Sequence, residues 1–171
     1  MPVPDLLSSY STSFASSSSN RATNVSLATN KINGKVLMPG EVFSFNGTVG
    51  KRTPQAGFKV AGVYMNGQVA TDYGGGICQV SSTLYNAVLR ANLEIVDRSN
   101  HMFEVGYVPI GTDATVSWGA PDFKFKNSRS YPIKIVTSSS NRKCVVKFYG
   151  LKESEEYDIE IVSYRTGSVP Y

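Results

Sequence analysis

The sequence predicts an α+β fold: mainly antiparallel β-sheet, one key helix carrying a cysteine at its N-terminus, and a short N-terminal helix. Three observations point there. β signals follow one another almost throughout after Gly34, an Asn66-Gly67 pair sits between two β-prone halves, and residues 79–91 carry the one convincing apolar stripe at helical spacing. A chain of 171 residues is the length of one domain and can bury a real core. With 41% hydrophobic and 18% charged residues it is too apolar for disorder, and it has no uninterrupted membrane-spanning run.

Taken in order, residues 1–22 form a Ser-rich N-terminal segment, read as a tail that docks at Tyr10 and Phe14. Residues 24–32 read as a short amphipathic helix with Asn24 as cap, Val25, Ala28 and Ile32 on one face and Gly34 as its stop. Residues 41–45 alternate as a strand, and residues 63–70 read as a hairpin turning at Asn66-Gly67. In the helix over 79–91, Val80, Leu84, Ala87, Val88 and Ala91 face a core, with Gly74, Gly75 and Gly76 directly before it. Residues 93–108 read as extended chain, turning at Ile110-Gly111 into a returning strand over 112–118, with further strands at 123–125, 133–137 and 144–149. Residues 23–151 make the main domain. Residues 152–171 form a C-terminal strand or linker toward a following domain, with an orphan strand at 157–164, so the chain reads as a piece of a longer protein.

Charge and composition exclude several functions. A net charge of +4 from scattered residues is not a nucleic-acid footprint, and no nucleic acid, membrane contact or cofactor is assigned. Two Cys and one His fall short of the four ligands of a structural zinc site, so no metal is assigned either. They are the minimum for thiol nucleophilic catalysis.

Cys78 falls at the first turn of a helix, where unpaired N–H groups carry about half a positive charge and favour thiolate. Gly75, Gly76 and Gln79 are candidates for backbone oxyanion stabilisation, the N–H groups of Cys78 and Gln79 above all. The alternative is that Cys78 is a small buried hydrophobe beside a flexible turn. Cys144, inside an alternating run, is a structural strand residue. His101, on or before a strand, is the candidate base. Strand geometry ranks the acids that orient it: with Ile110-Gly111 as the turn, Asp113 lies roughly 20 Å from His101 at about 3.3 Å per residue, whereas Asp122 is a diagonal neighbour on the same face. Asp122 is therefore the expected third group, with a backbone carbonyl as alternative. Arg98, Arg52 and Lys51 are candidates for holding a carboxylate, and Tyr73, Tyr107 and Trp118 for walling a groove; each is otherwise an ordinary solvated charge or core aromatic.

These residues also resemble a known family. Asn33-Gly34-Lys35, the run Met38-Pro39-Gly40-Glu41-Val42-Phe43-Ser44-Phe45-Asn46, Gly74-Gly75-Gly76-Ile77-Cys78-Gln79, Arg98 with His101, Gly111-Thr112-Asp113-Ala114, Asp122-Phe123 and Phe125-Lys126-Asn127 together resemble the VanW domain over residues 10–150. The resemblance implies an envelope-associated, extracellular protein of mainly Gram-positive bacteria. It also implies an L,D-transpeptidase in which Cys78 is the nucleophile and peptidoglycan stem peptides are the partners. The alternatives left open are an L,D-carboxypeptidase or other thiol peptide hydrolase, and a noncatalytic wall-binding scaffold.

Overall fold

In the computed structural model, residues 4–65 and 68–167 are described. The principal sheet has four strands in the order β1 (Asp5–Ser13), β9 (Lys143–Gly150), β8 (Ile133–Ser138) and β2 (Val36–Leu37), every neighbour antiparallel. A three-stranded antiparallel sheet takes the order β3 (Val42–Ser44), β7 (Lys124–Lys126), β6 (Glu94–Asp97). The third is the hairpin of β4 (Val60–Met65) and β5 (Gln68–Tyr73), whose strands pair from Val60 with Tyr73 to Met65 with Gln68. The turn residues expected there, Asn66 and Gly67, lie outside the described residues.

Three helices complete the α+β architecture: α1 (Ser19–Ile32), α2 (Phe45–Val49) and α3 (Ile77–Arg90). The inward positions of β8 and β9 alternate as a one-sided sheet requires, with Ile133, Ile135, Cys144, Val146 and Phe148 buried. Over them lie Val80, Leu84, Ala87 and Val88 of α3 and Val25, Ala28 and Ile32 of α1, all fully buried. Phe43, Phe123 and Phe125 join the second sheet to this core, Phe43 stacking on Phe125 at 4.9 Å and Phe125 meeting Phe148 edge-on at 5.6 Å.

Four expectations are corrected. The N-terminal segment does dock at Tyr10 and Phe14, but as regular structure and not as a tail: residues Asp5–Ser13 form an edge strand on β9. Its inward residues are Ser8 and Thr12, which bond Ala87 O (2.7 Å) and the Thr83 hydroxyl (2.8 Å) on α3, so the strand carries no apolar alternation to betray it. Helix α1 starts earlier than residue 24, capped by Ser18, whose hydroxyl accepts the Arg21 N–H at 3.2 Å. Asn24 is buried inside the helix and clamps other elements: its amide donates to the carbonyls of Lys59 and Gly75, both at 2.9 Å, and accepts from Lys59 N at 2.8 Å. Residues 98–123 contain no strand, and the segment 152–167 has none either. The latter runs back along the molecule, Arg165 pairing with Glu104 at 2.7 Å and the Ser163 hydroxyl bonding Ile110 O.

The glycine turn between β5 and α3 is set by packing. A Cβ on Gly75 would stand 2.6 Å from both Ala61 C and Gly62 O, so only glycine lets the turn lie against β4. Gly76 caps α3 at φ +103°, in the left-handed region. Gly75→Ala is expected to cost about 1–3 kcal/mol by overpacking, read as a lowered urea midpoint. Gly106→Ala, which meets nothing within 4 Å, should stay within about 0.5 kcal/mol of wild type. Equal midpoints for the two variants would contradict this packing.

Candidate active site

Cys78 is the second residue of α3, whose start has no side-chain cap; the N–H groups of Ile77 and Gln79 turn back to Gly74 O (3.3 Å) and Gly76 O (3.1 Å). The sulfur is half-buried and lies against a segment that crosses the start of the helix: Val116 N–H points at it (3.4 Å), Val116 O lies at 3.3 Å and the Thr115 hydroxyl at 3.7 Å. That segment is docked by a polar face of α3. Ser81 Oγ donates to Ala114 O at 2.6 Å, Ser82 Oγ accepts from Ala114 N at 2.9 Å, and Asn86 Nδ2 donates to Thr112 O at 2.8 Å.

The same segment brings Asp113 to His101. The carboxylate takes both the His101 backbone N–H and the ring Nδ1 on Oδ2, each at 2.6 Å. The sequence expectation is thereby corrected: Asp113, and not Asp122, holds the imidazole. The chain does fold back on itself, with Thr115 N donating to Ser99 O at 2.8 Å. The tight turn at Ile110-Gly111 is present, Thr112 N donating to Pro109 O at 3.1 Å, but the chain on either side of it does not pair as a hairpin, so Thr115 comes opposite Ser99 and His101 meets Asp113 rather than Ala120. Asp122 serves elsewhere. It accepts from the Ser44 hydroxyl (2.5 Å) and from Asn46 N (2.9 Å), joining the start of α2 to the entry of β7.

With Nδ1 on Asp113, the other ring nitrogen is left for the cleft that His101 shares with Cys78, and the imidazole and the thiol each bias the other's protonation. Burial raises the Cys78 thiol, but the His101 hydrogen bond and charge, with Val116 and Thr115, outweigh it and hold the thiol below its ordinary value. Burial lowers His101, while Asp113 and the sulfur outweigh it and push the imidazole up to about 9. Asp113 is held below the usual carboxylate range: burial raises it, and its bonds to His101 prevail. Cys144, buried in β9, is pushed up to about 12 by burial, which the Thr83 hydroxyl and the charge of Arg21 do not offset. Both cysteines are free thiols.

Cys78 and His101 line an open cleft of about 1090 Å³, walled also by Tyr73, Tyr107 and Trp118. Tyr73 and Trp118 are exposed aromatics, and burial, followed by the charge on Cys78, drives the Tyr107 phenol upward so that it stays protonated. Arg98 does not line the cleft. It stands behind Asp113, with Nε on Asp113 O (2.8 Å), a terminal nitrogen on Gly111 O (3.0 Å) and the guanidinium 4.8 Å over Tyr85. Gln79 is likewise a scaffold residue: its N–H donates to Gly76 O at 3.1 Å, and its buried amide joins Thr12 and Ser13 of β1 to Arg21 of α1. Of the expected backbone donors, the Gln79 N–H is thus engaged within the helix start, whereas no backbone acceptor takes the N–H of Gly75, Gly76 or Cys78 among the described residues.

A thiol on an open cleft, with an imidazole on the same cleft held from behind by a carboxylate, is the residue set of a cysteine–histidine–aspartate class of site on an α+β scaffold. The chain belongs to the VanW family: residues 20–149 match the family described as "VanW like protein". It is 48% identical over 143 residues to the "Uncharacterized protein YoaR" of Bacillus subtilis (strain 168), covering 84% of this chain and 47% of that protein. It is 29% identical over 157 residues to the "Vancomycin B-type resistance protein VanW" of Enterococcus faecalis (strain ATCC 700802 / V583), covering 89% of this chain and 56% of that protein. The chain thus spans about half the length of these curated relatives. No solved structure matches it.

The ion pair makes a prediction. Alkylation of Cys78 by iodoacetamide should be half-maximal below pH 9.0, the ordinary thiol value. In His101→Ala, burial acts unopposed by the imidazole and the midpoint should rise by about one pH unit or more. An unchanged profile in that variant would show that the imidazole does not bear on the sulfur.

Proposed function

We propose that this domain is a cysteine acyltransferase of the bacterial cell wall, an L,D-transpeptidase acting on peptidoglycan stems outside the membrane. The observation that carries the reading is that Cys78 and an Asp113-held His101 line one cleft. The motif resemblance and the resistance named for one relative fit a wall substrate.

In the proposed reaction the Cys78 thiolate attacks the carbonyl of the diamino acid in a tetrapeptide stem, forming a C–S bond and an oxyanion beside the Cys78 N–H. Collapse breaks the C–N bond. The departing D-alanine nitrogen takes its proton from the His101 imidazolium, leaving a thioester and a neutral ring. The side-chain amine of a second stem then attacks the thioester, gives its proton to His101 and expels the thiolate. One amide replaces another, and the ion pair is restored. Asp113 holds the ring by Nδ1 throughout, and Arg98 holds Asp113.

Incubation with disaccharide tetrapeptide, followed by mass spectrometry, should give a cross-linked dimer and released D-alanine. Cys78→Ala should abolish both products. His101→Ala should lose at least about a hundredfold in rate, because a positioned acid–base contributes that much. Release without dimer would make the domain a carboxypeptidase, and an undiminished yield from Cys78→Ala would remove the mechanism.

The rate should be bell-shaped in pH. The acid limb follows protonation of Cys78, whose value is lowered, so activity extends below the ordinary thiol range. The alkaline limb falls at about pH 9, where His101 loses the proton the leaving nitrogen needs. Asp113→Asn should move the alkaline limb down toward 6.5, the ordinary imidazole value. An alkaline limb that stays at about 9 in Asp113→Asn would assign it to another group.

A further inference from the structure

The charged residues of the cleft are unevenly distributed. Arg21, Lys51 and Arg52 line it against a single carboxylate, Asp72, which accepts the Tyr73 N–H at 2.8 Å. Arg21 is engaged in holding Gln79 (2.8 Å) and Ser17 (2.8 Å). The other two cations are placed differently.

Arg52 is fixed on the turn that leads into Cys78. A Cβ on Gly74 would stand 2.5 Å from Arg52 Cγ, so the stem lies flat on that glycine. Its guanidinium is held by Asn46 Oδ1 (2.7 Å) and Gly50 O (2.9 Å) and lies 5.6 Å over the Phe45 ring. Its Nε is buried and has no acceptor among the described residues. This cation is oriented before any ligand arrives, and what it offers the cleft is a fixed positive charge. Lys51, next to it, is exposed, and among the described residues no hydrogen bond or ion pair holds its ammonium. A rigid guanidinium beside a free ammonium, both on the cleft that holds the thiol, suits a planar anion.

We infer that Lys51 and Arg52 form a carboxylate-binding subsite, which holds a carboxylate of the acyl donor close to the carbonyl that Cys78 attacks. The link to that carbonyl rests on the acyl-transfer reading; the anion site itself does not. A tetrapeptide stem has two sources for such a group, the C-terminal carboxylate of the leaving residue and a carboxylate within the acyl portion. The side of the cleft nearest the glycine turn would take either.

The test compares iodoacetate with iodoacetamide as alkylators of Cys78 in the full chain, read by mass spectrometry of the labelled peptide. The rate ratio cancels thiol ionisation and isolates attraction for the carboxylate. Iodoacetate is expected to saturate, and K51Q to lower the iodoacetate-to-iodoacetamide ratio at least threefold. R52Q should lower it further, and R52K should retain most of it. A K51Q ratio equal to that of wild type overturns the proposal, whether or not R52Q folds.

Two tetrapeptides then separate the sources, each used to protect Cys78 from iodoacetamide: one amidated at its C-terminus, the other at its internal carboxylate. Whichever amide weakens protection at least fivefold in wild type, and not in K51Q, identifies the bound group. Loss of protection by neither, with the iodoacetate ratio still dependent on Lys51, overturns the assignment to the stem. If no stem peptide protects at all while that ratio depends on Lys51, the peptidoglycan reading fails and the anion subsite stands.

Discussion

The site depends on one docking contact, the polar face of α3 against residues 112–116. Cys78, Ser82 and Asn86 recur every four residues on the helix, a rise of about 6 Å. Their partners Val116, Ala114 and Thr112 recur every two residues on an extended chain, about 6.6 Å. The two periods nearly match, so the segment lies antiparallel along the helix with a hydrogen bond at each step. Each such bond contributes about 1 kcal/mol net, but a serine or asparagine left unpaired there would cost more. The register is therefore closely specified. It is also functional: Asp113 lies between two of the docked residues, and its carboxylate collects both the backbone and the ring of His101.

The two cysteines show how far environment governs one functional group. Burial disfavours the thiolate at both. At Cys144 nothing opposes it enough, and the residue is an inert part of the sheet. At Cys78 a charged imidazole, a hydroxyl and a backbone N–H outweigh the same penalty, and the uncapped start of α3 acts in the same direction. The pair is mutually reinforcing, because the sulfur that gains from the imidazolium also raises it. Asp113 shares in this, being lowered by the ring that it holds.

Local pattern made much of the fold legible. The stripe of Val80, Leu84, Ala87 and Val88 is helical because it is buried along one face, and residues 133–137 and 144–149 alternate because their sheet has one buried side. The cysteine at a helix start and the lone histidine were legible as chemistry for the same reason: each is identified by residue type and local position. What pattern could not supply was tertiary register. The turn at Ile110-Gly111 is where the sequence puts it, but a regular strand register extended from it separates Asp113 from His101, whereas the flanking chain forms no strands and brings the two together. The sequence signal for the true arrangement lay on the helix, in the polar residues Ser82 and Asn86 following Cys78 at four-residue spacing. Edge strand β1 was hidden by serines that face inward, and Asn24 read as a cap because its real partners, Lys59 and Gly75, are distant in sequence.

The three glycines before Cys78 bring these threads together, because each is pressed by a different element. Gly74 lies under Arg52, Gly75 against the backbone of β4, and Gly76 over the stem of Arg21, whose Cγ a Cβ there would approach to 2.6 Å. A turn so enclosed is stiff, in contrast to the flexible loop that three glycines ordinarily suggest. Its rigidity fixes the nucleophile relative to α1, β4 and the cationic side of the cleft, so that Cys78 has little positional freedom of its own. His101 arrives from the opposite direction on a loop without regular structure, tethered through Asp113 and, behind it, Arg98. The geometry of the pair is thus set by two supports that meet on α3, the glycine turn at its start and the segment 112–116 docked along its polar face. The first holds the sulfur, and the second holds the imidazole through Asp113.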